Sequence, residues 1–318
     1  MKLKKPKFWD YKKPNIFSFL LLPFTLIVRI NNFFKKLKKN NINKKIKTIC
    51  IGNIYIGGTG KTPSVIKVNQ ILKKLNYKTV FIKKYYKDSI DEQILLEKNG
   101  KTITYKKRSH SLNVANTSGH DVAIFDDGLQ DSSIKYDLKF VCFNIQNFIG
   151  NGFLIPAGPL REKIDSLKKY DAVLLNGNNE NSNEPILEIK KNNKDIKIFE
   201  STYTLTNLDL FNKKNKYVAF AGIGIPMNFY KTLTNNGLNI IKFLEYPDHY
   251  DYSYNDIEKI KNKAKNLEAE IITTEKDYLR MEKNQILDIK KDIQIAKMEL
   301  KIKNEDELIN FLKNYLWK

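Results

Sequence analysis

The chain has 318 residues, 42% of them hydrophobic, which is enough for ordinary cores and excludes a wholly disordered chain. Its 56 Lys and Arg against 35 Asp and Glu give a formal charge of +21. Residues 1–47 alone hold 14 basic residues and one acid, Asp10, so +13 lies there and only +8 on the rest. A nucleic-acid binder would spread its basic surface over its folded domains, with aromatic stacking positions, so no nucleic-acid partner is expected.

In chain order, the first feature is this basic arm, 1–46, around an uncharged apolar stretch. No charge occurs from Pro14 to Val28. Fifteen helical residues reach about 22 Å, short of the roughly 30 Å hydrocarbon core. Extension to Phe34 would suffice if Arg29 snorkelled and Pro23 were tolerated. Trp9 and Tyr11 are possible interfacial anchors. A signal peptide would also show a basic and then an apolar region, but no small-x-small cleavage site follows. The reading adopted is a membrane-associating helix lying in the interface, ahead of a single span or a buried core helix. Anionic lipid would attract each nearby Lys or Arg by roughly 1 kcal/mol.

After the arm, strand-like and helix-like runs alternate, as in a mainly parallel sheet covered by helices, so the fold class is α/β. Strands are predicted at 47–52, 79–82, 121–125, 139–143 and 171–175. Val65, Ile66, Val68, Ile71, Leu72 and Leu75 recur at helical spacing. The polar, Asn-rich run 176–184 reads as an exposed loop. Beyond it come strands at 217–221, 239–243 and 269–273, with helices near 227–236, 255–267 and 306–316. About 150 residues per domain predicts two domains, here 47–205 and a smaller α/β domain at 206–318. Cys50 and Cys142 lie in apolar strand-like runs as small hydrophobes, with no CxxC and no disulfide framework. Three histidines, His110, His120 and His249, do not suggest a multi-His metal centre.

At the end of the first strand stands Gly57-Gly58-Thr59-Gly60-Lys61-Thr62, with a helix following. Glycines let backbone N–H groups turn inward onto phosphates, Lys61 can reach the β/γ-phosphates, and the Thr62 hydroxyl can bind Mg²⁺. The strict G-x-x-x-x-G-K-[ST] pattern would need glycine at Tyr55, so this loop is a variant. Such a loop needs an acidic metal partner at the end of a neighbouring strand. Asp126 and Asp127, closing the apolar run 121–125, fit that place. A nucleotide and Mg²⁺ are therefore the expected cofactors, with the loop alone leaving the reaction open.

Six motifs in order resemble one family, the tetraacyldisaccharide 4′-kinases of lipid A biosynthesis. Gly52-Asn53, continuing through Gly57 to Pro63, is similar to its GN-x-x-x-GGTGKTP loop. Asp126-Asp127-Gly128-Leu129-Gln130 resembles DDGFQ, and Pro156-Ala157-Gly158-Pro159-Leu160-Arg161-Glu162 resembles PxGPLRE. Ala219 to Gly224 matches AFAGIG, Tyr246-Pro247-Asp248-His249 matches FPDH, and Thr273-Thr274-Glu275-Lys276-Asp277 matches TTEKD. Two stretches depart from the pattern. The family's SRGY corresponds here to Lys83-Lys84-Tyr85-Tyr86, and the connection before Ile90-Asp91-Glu92 is shortened.

The resemblance implies a P-loop NTPase-type kinase core with a smaller C-terminal α/β domain. It implies ATP-dependent phosphorylation of the 4′-hydroxyl of an anionic acylated disaccharide 1-phosphate, giving lipid IVA, at the cytoplasmic face of the inner membrane. Carried over by motif, Asp91 is the general base, His249 its supporting neighbour and Lys61 the phosphate cation. Glu92, Arg161, Lys84 and Tyr86 are expected to face substrate. By residue type alone, Asp91 reads first as a solvated first-turn acid and His249 as a structural turn residue. Arg161 reads equally as a structural ion-pair partner. A membrane-cycling partitioning ATPase is the rival class, but its loop usually carries Lys just before the Gly-Gly, where this chain has Ile56.

Overall fold

The computed structural model describes residues 5–37, 45–86, 89–177, 181–283 and 292–316. Parts of the basic flanks, 1–4 and 38–44, and the shortened connection at 87–88 lie outside the described residues. Two helices, α1 (Ile16–Leu21) and α2 (Thr25–Leu37), are joined by a 3₁₀ turn at Leu22–Phe24 that accommodates Pro23. There follow β1 (Lys47–Gly52), α3 (Lys61–Lys74), β2 (Thr79–Lys84), α4 (Ile90–Asn99), β3 (Thr102–Tyr105), α5 (Arg108–Thr117), β4 (Val122–Asp126) and β5 (Leu138–Asn144). Next come β6 (Ala172–Gly177), α6 (Asn183–Asn192), β7 (Lys197–Leu205), β8 (Lys216–Ala221), α7 (Pro226–Asn235), β9 (Asn239–Glu245) and α8 (Tyr254–Asn266). The chain closes with β10 (Glu270–Thr274), α9 (Glu275–Lys283), β11 (Ile293–Ala296), β12 (Met298–Ile302) and α10 (Glu305–Leu316).

Contacts divide the chain into two units. One holds Met1–Tyr85, Asn99–Ser201 and Ile302–Lys318; the other holds Tyr86–Lys98 and Thr202–Lys301. The division is therefore not contiguous in sequence: α10 belongs with the first unit, and α4 up to Lys98 with the second.

The eight-stranded sheet runs β12-β7-β6-β5-β1-β4-β2-β3. From β6 to β3 every neighbouring pair is parallel. β1, β4 and β6 are buried along nearly their whole lengths, which is why they read as continuous apolar runs rather than alternating ones. β1 lies between β5 and β4, and the register Ile51↔Asp126 and Lys83↔Asp126 aligns the C-terminal ends of β1, β4 and β2 at one edge. Ligands of open parallel sheets bind at that edge. In the same unit, Phe311 of α10 packs on Phe140 and Phe199, with ring centroids 5.9 and 5.3 Å away.

The segment expected to be a loop at 176–184 needs correction. Asn176 and Gly177 complete β6 and are buried, and Asn183 begins α6; 178–180 lie outside the described residues. Asn176 was misread as a loop residue because its amide finds partners inside: Nδ2 donates to the Thr59 carbonyl at 2.7 Å, and its oxygen accepts from the Ser201 hydroxyl.

The arm is not a buried core helix. From Ile16 to Phe34 it is long and apolar enough to cross a membrane, with a mean hydropathy of 1.6, yet little of it is covered. Ile16, Leu20 and Ile27 are 70%, 65% and 66% exposed. Polar side chains of the arm meet the rest of the first unit instead. Asn151 Nδ2 donates to Ser18 Oγ at 2.9 Å, Asn32 Nδ2 donates to the Arg161 carbonyl at 2.9 Å, and Trp9 Nε1 donates to the Pro156 carbonyl at 3.0 Å.

The second unit has its own four-stranded, wholly parallel sheet in the order β11-β10-β8-β9. Phe220, Tyr252, Ile257 and Ile260 form a core on one side; Phe229, Leu233 and Ala219 form another. α8 is started by a reciprocal capping box between Ser253 and Asp256, the arrangement that satisfies orphan N–H groups at a helix start.

Candidate active site

β1 delivers the chain into the glycine loop, and α3 leaves it. Gly57 has φ +119° and Gly60 φ +81°, conformations that glycine adopts without a Cβ penalty. Asn53 Nδ2 donates to Thr59 Oγ1 at 3.0 Å, while Asn176 holds the Thr59 carbonyl. The loop is thus pinned from two sides, and α3 presents its first N–H groups beyond Gly60, where an anion gains from both the free donors and the helix dipole. Gly57, Gly58, Thr59, Gly60, Lys61 and Thr62 all sit in this turn, as the sequence pattern requires. Tyr55, which replaces the expected first glycine, is buried; its hydroxyl accepts from Lys5 Nζ at 2.9 Å and donates to Asp10. The loop's variant start therefore ties in the N-terminal arm.

Thr62 Oγ1 donates to Asp126 Oδ2 at 3.1 Å. The same oxygen accepts from Lys83 Nζ at 2.6 Å, a residue the sequence reading passed over. Asp126 Oδ1 is buried without a hydrogen-bond partner. Asp127 adopts φ +64°, which turns its carboxylate back onto the Gly128 N–H at 2.9 Å and out to Arg161 Nη1 at 3.1 Å. Burial would raise its pKa, but Lys61, Arg161 and Arg108 outweigh that and hold the carboxyl well below the usual range. Arg161 is therefore an ion-pair partner of Asp127. Gln130 bridges the Asn53 carbonyl and Glu162 at 3.1 and 2.9 Å. The close approach of this loop to β1 depends on Gly52, where a Cβ would stand 2.6 Å from Leu129 Cγ.

These residues fit a divalent cation. The Thr62 hydroxyl and a carboxyl group with one unpartnered oxygen are hard oxygen donors, and Mg²⁺ is generally held by one or two carboxylates together with substrate phosphates.

In the second unit, Asp91 is buried, not the solvated first-turn acid its residue type suggested. Arg280 Nη2 and Nε donate to Asp91 Oδ2 at 2.8 and 3.0 Å, and His249 Nδ1 lies 3.3 Å from Asp91 Oδ1. Desolvation would raise the Asp91 pKa, but the neighbouring His249 imidazole and the charges of Lys276 and Arg280 drive it well below the ordinary carboxylate range. Glu92 Oε1 accepts from Lys276 Nζ at 2.8 Å and lies 3.9 Å from His249 Nε2. His249 itself has φ +55°, and its N–H donates to the Gly222 carbonyl.

Asp277 is the hub that assembles these motifs. Its Oδ1 accepts from the Gly222 N–H at 3.0 Å, the Tyr252 hydroxyl at 3.0 Å and Arg280 Nη1 at 2.9 Å, and its Oδ2 accepts from Thr274 Oγ1 at 2.6 Å. Arg280 was missed in sequence, although its position one helical turn after Asp277 was the available signal. Lys84 ends β2 half-buried, and Tyr86 is 51% exposed.

The model of the family described as tetraacyldisaccharide-1-P 4′-kinase matches residues 16–316. A tetraacyldisaccharide 4′-kinase of Pelagibacter ubique (strain HTCC1062) is 53% identical, over 93% of this chain and 95% of that protein. One from Rickettsia canadensis (strain McKiel) is 36% identical, over 97% and 96%. Among solved structures, LpxK from Aquifex aeolicus in complex with ATP has a TM-score of 0.70 at 22% identity, covering 95% of this chain and 100% of that one, a likeness of fold.

Proposed function

The chain belongs to the tetraacyldisaccharide-1-P 4′-kinase family, and from that premise we propose how its residues phosphorylate the 4′-hydroxyl of the lipid A precursor at the expense of ATP. Phosphoryl transfer asks mainly for positioning and charge neutralisation. Lys61 and the backbone N–H groups of the glycine loop take the β/γ-phosphates. Thr62 and Asp126 would hold Mg²⁺, and Arg161 fixes the neighbouring Asp127 carboxylate. The metal, when bound, neutralises charge on the transferring phosphoryl group. The observation that carries this reading is the Thr62–Asp126 hydrogen bond beside an unpartnered Asp126 Oδ1, at the start of the helix after the glycine loop.

Asp91 serves as the base for the sugar hydroxyl. Its carboxylate is ionised throughout the working pH range, and Arg280 fixes Oδ2 so that Oδ1 remains on the His249 side. Such an acidic carboxylate is a weak base. A loose transition state delays proton loss until the new P–O bond is forming, so orientation counts for more than basicity. His249 then shares the proton with Oδ1.

The arm lies on the membrane rather than crossing it. Ser18 of α1 and Asn32 of α2 are both hydrogen-bonded to the rest of the first unit, so the apolar face between them is offered sideways to a lipid surface. With basic flanks, that face suits the anionic cytoplasmic leaflet of the inner membrane, where an acylated disaccharide could be used without leaving the bilayer.

The direct test is incubation of the purified enzyme with ATP, Mg²⁺ and detergent-dispersed tetraacyldisaccharide 1-phosphate. Phosphate incorporation at the 4′ position is expected. None from a demonstrably folded enzyme would overturn the reading.

A further inference from the structure

β2 ends beside β4, and in that parallel pair Lys83 is the register partner of Asp126. Partners in register on adjacent strands project to the same side, so the lysine stem follows the Asp126 side chain to the sheet's C-terminal edge. Both side chains are buried, at 7% and 0% exposure, and Nζ sits 2.6 Å from Oδ2. The family pattern has serine here, as the first residue of SRGY, so this chain adds a full positive charge where the metal carboxylate stands.

We propose that Lys83 is a resident cation of the nucleotide site, a positioning residue that commits Asp126 to meet Mg²⁺ through Oδ1 alone and takes over part of the phosphate neutralisation. The inference rests on the reading of Asp126 as a metal ligand. Oδ2 already accepts from two donors, Lys83 Nζ and Thr62 Oγ1, which leaves no room for bidentate coordination. Oδ1 is buried and unpartnered, so it is the oxygen left for a cation. A purely structural ion pair would be expected to satisfy both carboxylate oxygens, since a buried orphaned acceptor is destabilising.

The charge has a direction of effect. A fixed ammonium on the carboxylate that would hold the metal disfavours Mg²⁺ and attracts the nucleotide phosphates. This enzyme should therefore retain appreciable affinity for metal-free ATP and need more Mg²⁺ than an otherwise equal site without the lysine.

Equilibrium binding of a fluorescent ATP analogue by the full chain tests this, first in EDTA and then with Mg²⁺ titrated in. K83Q keeps a hydrogen-bond donor and removes the charge, while K83R keeps the charge. For K83Q, we expect metal-free affinity to fall about tenfold and the half-saturating Mg²⁺ concentration to fall several-fold. K83R should stay within about twofold of the parent in both. Equal behaviour of K83Q and the parent in a protein whose Mg²⁺ does tighten nucleotide binding would overturn the Lys83 proposal alone. Absence of any Mg²⁺ effect in the parent would overturn the metal reading with it. Failure of both variants to fold would make Lys83 a structural partner, and would also overturn the proposal.

Discussion

Arg280 and Asp91 are 189 positions apart in sequence, yet two nitrogens of the arginine, Nη2 and Nε, converge on a single carboxylate oxygen at 2.8 and 3.0 Å. The other oxygen is left beside His249. One cation thus fixes which lone pairs of Asp91 remain available, and it does so from a helix whose own position is set by Asp277.

Asp91→Asn should lower kcat by about 10²–10⁴-fold, the usual contribution of a positioned general base, with the KM for ATP nearly unchanged. Steady-state kinetics with both substrates varied would show it. Turnover close to the parent value would remove Asp91 from the role of base.

The same pair dictates a pH dependence. The Asp91 carboxyl is held below its ordinary value, so its stabilising contribution is complete above about pH 4 and is lost as pH falls through the depressed folded value. The gap in Tm between parent and Asp91→Asn should therefore be constant from pH 6 to 8 and narrow under acid conditions. Arg280→Gln removes a lowering charge while burial remains, which moves the Asp91 pKa upward. An acid limb in kcat/KM should then appear at higher pH than in the parent. A profile superimposable on the parent's would show that Arg280 does not control this carboxylate.

The alternation of apolar runs gave the parallel sheet, and the glycine loop with its trailing Asp-Asp singled out a candidate nucleotide site, because both follow from local periodicity and short-range chemistry. What local pattern could not show was long-range pairing. Asn176 looked like the start of a solvated loop, since nothing near it in sequence tells of the Thr59 carbonyl it serves. Lys83 stood only as one residue of a stretch departing from the family pattern, because its partner Asp126 comes from β4, far along the chain. Asp91 looked exposed by residue type, and only the motif resemblance singled it out. Burial beside Arg280 explains why the residue-type reading failed.

Asn176→Ala would leave the Thr59 carbonyl without its buried donor. The cost of an unmet buried acceptor is about 1–3 kcal/mol, and part of it should appear as looser nucleotide binding because the carbonyl belongs to the phosphate loop. Calorimetric ATP titration should show affinity weakened by about tenfold if roughly 1.4 kcal/mol of it falls on the bound loop. Unchanged ATP affinity with a lowered Tm would assign Asn176 to folding alone.

Gly52→Ala places a Cβ 2.6 Å from Leu129 Cγ and 2.9 Å from its Cδ1. Leu129 lies two residues past Asp127, so relief of the clash should displace the loop that carries both acids. We expect lower stability and a raised Mg²⁺ requirement, with recovery of the latter in Gly52→Ala/Leu129→Ala, where the obstructing atoms are gone. Failure of the second substitution to restore the Mg²⁺ titration would show that the glycine is needed for something other than clearance.

The arm offers a separable test, because its apolar face and its anchoring face carry different residues. Leu20 and Ile27 are 65% and 66% exposed, so replacing them costs the fold little. Leu20→Glu/Ile27→Glu should leave Tm and ATP affinity within experimental error of the parent, while co-sedimentation with vesicles containing anionic phospholipid falls sharply. Surface binding scales with buried apolar area plus attraction to anionic headgroups. High salt should therefore weaken vesicle binding of the parent without abolishing it, and turnover on detergent-dispersed substrate should survive the double substitution. Vesicle binding that persists undiminished in the double variant would place the membrane contact elsewhere on the protein.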